Sequence, residues 1–141
     1  MDAWRNGLRF ILQIGIAMAT LGILDTQAVH AQGYVPSIAL KSGESSELSD
    51  IWWVSNCRSL LKGTPEAEIL DGPNEVTLEV KEAMVLPRNS ECAKRVPGGK
   101  LVIKAKEIEE PSYTRLTIRI GLKGQDGNRE ISQVFNLRLL P

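Results

Sequence analysis

The chain has a single histidine, His30, among 141 residues. That scarcity removes whole classes of chemistry before any motif is sought. Ser-His-Asp and Cys-His nucleophiles, imidazole acid–base relays and most zinc, copper or iron sites all depend on imidazole. Cysteine is nearly as scarce, with only Cys57 and Cys92. The aromatics are three Trp, two Tyr and two Phe, too few for a run of stacking platforms along a nucleic-acid strand. No Gly-rich phosphate loop and no calcium loop occurs. Ser59 and Lys62 match the S-x-x-K nucleophile pattern, but its S-D-N and K-T-G partners are missing and the chain is too short for that fold. Glu107, Glu109 and Glu110 stand beside Pro111 and read as a solvated acidic turn rather than paired catalytic carboxylates. The expectation is a non-enzymatic protein with no metal and no cofactor.

What is present first concerns destination. The chain opens MDAWRNGLRF, with Arg5 and Arg9, and then runs apolar over residues 10–24. Val29-His30-Ala31 follows as a small-residue cleavage pattern. A basic start, a short apolar centre and such a site describe a secretory signal peptide over 1–31, since the apolar run is short for a membrane span. Its removal would leave one domain without histidine, periplasmic or secreted and not membrane-spanning. In an oxidising compartment Cys57 and Cys92 are expected to pair. A staple closing about 35 residues contributes on the order of 3–4 kcal/mol in the chain-entropy model.

The rest of the chain reads as strands and turns. Residues 32–50 are rich in Ser, Gly and Glu without a sustained period and read as a flexible leader, with 35–40 available as an edge strand. Residues 52–62 are the only stretch with room for a helix, and a short one. Val76, Leu78 and Val80 alternate with Thr77, Glu79 and Lys81. Leu101, Ile103 and Ala105 alternate with Val102, Lys104 and Lys106, and Leu116, Ile118, Ile120 and Leu122 repeat the pattern. Period two marks half-buried strands. Phe135, Leu137 and Leu139 share one face of a last strand over about 129–139. Asp71-Gly72-Pro73-Asn74, Val96-Pro97-Gly98-Gly99 and Gln125-Asp126-Gly127-Asn128 supply turns. The pattern predicts an all-β domain over 51–141: a single antiparallel β-sandwich, immunoglobulin-like. Both Trp52 and Trp53 precede the cysteines, unlike the antibody arrangement.

Two features suggest binding surfaces. The formal charge is zero, yet acidic residues outnumber basic ones two to one over 41–93, and the ratio inverts over 94–141. Alternation places Lys104, Lys106, Arg119 and Lys123 on the outward faces of two strands read as neighbours. Such a face suits an anionic glycan, a lipid headgroup or an acidic envelope protein. Solvated strand faces often carry such residues without binding anything, so the pattern alone does not decide. Nucleic acid is not expected, given the compartment and one aromatic, Tyr113, near that face. The second feature is Trp52-Trp53. Adjacent residues on an extended segment point opposite ways, so one is expected to plug an end of the core. The other is left free to stack on a sugar or peptide.

The stretch WWVSNCRSLLKGTPEAEILDGP…AMVLPRNSECAKRVPGGKL, with the closing strand and its Leu-Leu-Pro end, resembles a group of small secreted proteins of rhizobial alphaproteobacteria. The likeness covers about residues 51–141. That group implies no activity and no catalytic residue. Two expectations follow: a binder of an envelope or host component, or an accessory protein of host association (nodulation efficiency) or envelope structure without a discrete ligand.

Overall fold

The computed structural model describes residues 33–88 and 91–141. The signal peptide expected over 1–31 lies outside the described residues. The described residues form nine strands and no helix, and none of them belongs to a helix long and apolar enough to cross a membrane. The strands are β1 (Ser37–Lys41), β2 (Ser45–Ile51), β3 (Val54–Ser55), β4 (Arg58–Ser59), β5 (Glu66–Asp71), β6 (Val76–Val85), β7 (Val96–Ala105), β8 (Ser112–Gly124) and β9 (Gly127–Leu140).

They assemble into a four-stranded mixed sheet, β1-β9-β8-β5, and a three-stranded antiparallel sheet, β2-β7-β6. β3 and β4 make a separate small hairpin. All pairings are antiparallel except β1 with β9. Period-two side chains from both sheets meet in one hydrophobic cluster. Leu101, Ile103 and Ala105 come from β7, Leu116, Ile118, Ile120 and Leu122 from β8, and Phe135, Leu137 and Leu139 from β9. Burying each large aliphatic side chain is worth about 1.5–3 kcal/mol, so this shared interior dominates the stability of the fold.

Three sequence expectations are corrected by the structure. Residues 32–50 are not simply a leader, because they hold β1 and β2. Leu40 is 1 % exposed and belongs to the shared cluster, as does Ile51 at the end of β2. The polar composition misled because both are edge strands, each burying few side chains. Residues 52–62 hold no helix, but the β3–β4 hairpin. Its two turn residues, Asn56 and Cys57, have φ of 47° and 57°, the left-handed values a two-residue hairpin turn demands.

The third correction is Val96-Pro97-Gly98-Gly99, which is not a turn but the start of β7, paired with Val85, Met84, Ala83 and Glu82 of β6. The glycines serve close approach. A Cβ on Gly98 would collide with the backbone carbonyl of Ile51, and one on Gly99 would lie 2.8 Å from Val80 Cγ1. Pro97, lacking an N–H, is tolerated at the strand entrance.

Candidate anion-binding face and the tryptophan pair

The four predicted cations do not share a face. Lys104 sits on β7 and Lys106 just beyond it, in the three-stranded sheet, whereas Arg119 and Lys123 belong to β8 in the four-stranded one. The connection over 106–111 carries the chain from one sheet to the other. Alternation therefore gave each residue its outward direction but not its sheet. Lys106 Nζ donates to the Asn74 carbonyl at 2.8 Å. Lys123 Nζ meets Glu66 Oε1 at 2.7 Å, and Arg119 is bonded to Glu68. The hydrogen bond that Arg119 donates to Glu68, with that carboxylate's charge, raises the Arg119 pKa above its ordinary value. Lys104 is exposed and makes no ion pair with another described residue.

Three other cations do share a face. On the outer side of the four-stranded sheet, Tyr113 of β8 stands opposite Arg138 of β9, and Arg138 opposite Ala39 of β1. Two residues along each strand, on that same side, come Arg115 and Lys41. Tyr113 is 70 % exposed, and all three cations are exposed. None of the three forms an ion pair with another described residue. The Glu44 carboxylate accepts from the backbone N–H of Lys41 at 2.8 Å and closes the β1–β2 turn. The strand patterns already held Arg115 and Arg138, which share the outward parity of Arg119 and oppose that of Leu137. Lys41 was hidden because its strand was read as leader.

The two tryptophans take different jobs. Trp53 packs against the shared core at the β8–β9 hairpin, with the Arg129 guanidinium 5.6 Å from its ring centroid. A Cβ on Gly124 would collide with that ring, so the glycine makes room for the plug. Trp52 lines a groove of about 360 Å3 with Leu48, Arg88, Lys100 and Gln133, edged by Glu47 and Asp50. Lys100 Nζ meets Glu47 at 2.7 Å and Asp50 at 3.4 Å, and the hydrogen bond it donates to Glu47 leads in raising its pKa. Across the floor, Ser49 Oγ donates to Gln133 Oε1 at 3.2 Å. The segment is held by the Cys57–Cys92 disulfide, with Cα atoms 5.3 Å apart. It is held again by Leu60, whose N–H donates to the Trp53 carbonyl at 2.8 Å.

Side chains that resembled catalytic groups are otherwise employed. Ser59 Oγ donates to the Pro97 carbonyl at 2.9 Å and accepts from the Leu61 N–H at 3.3 Å, anchoring the hairpin to β7. Glu107, Glu109 and Glu110 are exposed on the connection between the sheets. Among the described residues no group of His, Cys, Asp and Glu is placed to hold a metal ion. No protein-family model matches the chain, and no curated protein is significantly similar to it.

Proposed function

We propose that the chain is an exported, non-enzymatic β-sandwich protein, immunoglobulin-like in arrangement, that binds an anionic component of the cell envelope or host surface. One cluster filled from both sheets supports the sandwich. The disulfide supports an oxidising compartment, periplasmic or extracellular. The observation that carries the binding function is the set of cations that make no ion pair with another described residue, Lys41, Arg115 and Arg138, around the exposed ring of Tyr113. Guanidinium groups match carboxylate and phosphate oxygens two hydrogen bonds at a time. An aromatic ring beside them adds a stacking surface suited to the face of an acidic sugar.

The test is binding of the purified protein to a polyuronate, with vesicles containing phosphatidylglycerol as the second arm. Polyuronate binding without vesicle binding assigns an acidic glycan; the reverse assigns a lipid headgroup. Affinity should fall steeply with salt, because exposed charges are screened beyond about 10 Å at 0.1 M. Arg115→Glu with Arg138→Glu should lower affinity more than about tenfold, a loss of about 1.4 kcal/mol, with the fold intact. Unchanged binding by that variant would make this face ordinary solvated surface.

A further inference from the structure

β9 has fourteen residues, but β1 covers only the last five of them on its outer side, from Asn136 to Leu140. The side that bonds there is fixed by two contacts. The Asn136 N–H donates to the Pro36 carbonyl at 2.9 Å, and the Leu140 carbonyl accepts from Ser42 at 3.0 Å. Even-numbered residues of β9 therefore aim their backbone groups away from β8, since successive residues alternate. By the same alternation Glu130, Ser132 and Val134 present N–H and C=O groups on the side that no described strand covers. The ladder stops where it does because Pro36 has no N–H to offer the Val134 carbonyl. The chain leaves the edge there, and Tyr34 is 89 % exposed.

Directly below this open edge lies the Trp52 groove. β2 turns back from β1 and, at seven residues to five, runs on past the start of β1. Its Leu48, Ser49 and Asp50 then form one wall of the groove, and Gln133 of β9 forms the other. An edge with six backbone groups that bond to no other described strand thus stands over half-buried Trp52 and Leu48. Beside them is Arg88, which forms no ion pair with another described residue. A strand added to β9 here would continue the sheet in line with β1. Its inward side chains would cover Leu48, Trp52 and the half-buried Ile131, and its outward ones would join the solvated face.

We propose that the β9 edge over 130–134, together with the Trp52 groove, binds an extended segment of a partner protein by β-strand addition. The segment alternates apolar and polar residues and carries a carboxylate for Arg88. Main-chain hydrogen bonds to Glu130, Ser132 and Val134 supply affinity, and Trp52 and Arg88 supply selectivity. This surface is separate from the Tyr113 face, and neither proposal depends on the other.

The first experiment is amide hydrogen exchange of the purified protein. Glu130, Ser132 and Val134 should exchange much faster than Ile131, Gln133 and Phe135. Slow exchange at all six would show the edge already covered and would overturn the proposal. The second is selection from a displayed library of octapeptides with alternating apolar and polar positions. Selected peptides should carry an acidic residue at a fixed position and should bind Ser132→Pro at least about tenfold more weakly than the parent, while Ser132→Ala binds as the parent does. Proline at 132 removes an edge-facing N–H, not one that bonds β8, and also fixes the local φ. Methylating the selected peptide's backbone nitrogens one at a time needs no change in the protein. Loss of binding at alternate positions supports the added strand. Equal loss everywhere, equal binding by Ser132→Pro, or a library yielding no binder overturns it. So does a concentration-dependent dimer abolished by Ser132→Pro, which would give the edge to a second copy.

Discussion

The outer face of the four-stranded sheet has two ends that differ in one respect. At the β5 end, Arg119 and Lys123 each face a glutamate on the neighbouring strand, Glu68 and Glu66. At the β1 end, Lys41 faces Leu140, Arg115 faces Asn136, and Arg138 stands between Ala39 and Tyr113. Residue type is alike at both ends, and of these cations only Arg119 is part-buried rather than exposed. The neighbouring strand makes the difference, because a cross-strand carboxylate turns a cation into part of the sheet. Without one, the cation's hydrogen-bonding capacity remains available to a ligand. Counting basic residues along the chain therefore selects the wrong ones; the test is which strand lies alongside.

The two ends share an interior, and the largest effect comes from damaging it. Ile118 is fully buried beneath them, on the opposite side of β8 from Arg119. Ile118→Ala should cost roughly 2–5 kcal/mol, read as a lowered midpoint in denaturant unfolding. At temperatures where the variant is still folded, polyuronate affinity should be close to that of the parent. A selective loss of binding there would mean that the face depends on core shape rather than on its own charges.

The difference between the ends can also be erased. Ala39 stands on β1 opposite Arg138, in the place that Glu68 holds opposite Arg119. Ala39→Glu should convert the open end into a paired one, lowering polyuronate affinity by about tenfold, or about 1.4 kcal/mol. Thermal stability should hold steady or rise slightly, since opposite charges across strands contribute about 0.2–1 kcal/mol. Unchanged affinity, measured by titration calorimetry, would show that a facing carboxylate does not silence a cation on this sheet.

The converse change opens the closed end. Glu68→Gln with Glu66→Gln removes the bonded partners of Arg119 and Lys123 and leaves Glu130 as the carboxylate still acting on Arg119. Polyuronate affinity should rise a fewfold, and the dependence of affinity on salt should steepen. A double variant that binds no better would confine the ligand to the Tyr113 end.

Much of this architecture is legible in the sequence. Alternation along 101–106 and 116–122 identified the inward faces of β7 and β8, and the cysteine pair identified the staple. The failures have physical causes. β1 and β2 are edge strands with polar sequences, so only Leu40 and Ile51 among them become fully buried. Gly98 and Gly99 signal a turn in isolation, but are needed because Ile51 and Val80 press against β7. Strand partnership is a long-range property: nothing local places β7 and β8 in different sheets, or Lys41 beside Arg138. The paired tryptophans announced a plug but not which one. That depended on Gly124, seventy-odd residues away, leaving room for the ring of Trp53.

The smallest expected effect uses pH to separate a paired cation from its surroundings. Lys100 is the most heavily paired lysine described, held by both Glu47 and Asp50. The hydrogen bond it donates to Glu47 raises its pKa above the ordinary 10.5. A raised lysine value means that folding favours the charged form. The contribution of Lys100 to stability is therefore complete below pH 10.5 and fades as pH climbs through the higher folded value. Lys100→Met keeps the length of the side chain and deletes the charge. Unfolding curves of parent and variant should be separated by a constant small gap from neutral pH up to about pH 10, and should converge above it. A gap that persists undiminished in strong alkali would mean that the substitution acts through side-chain shape, and that the charge of Lys100 beside its two carboxylates adds nothing.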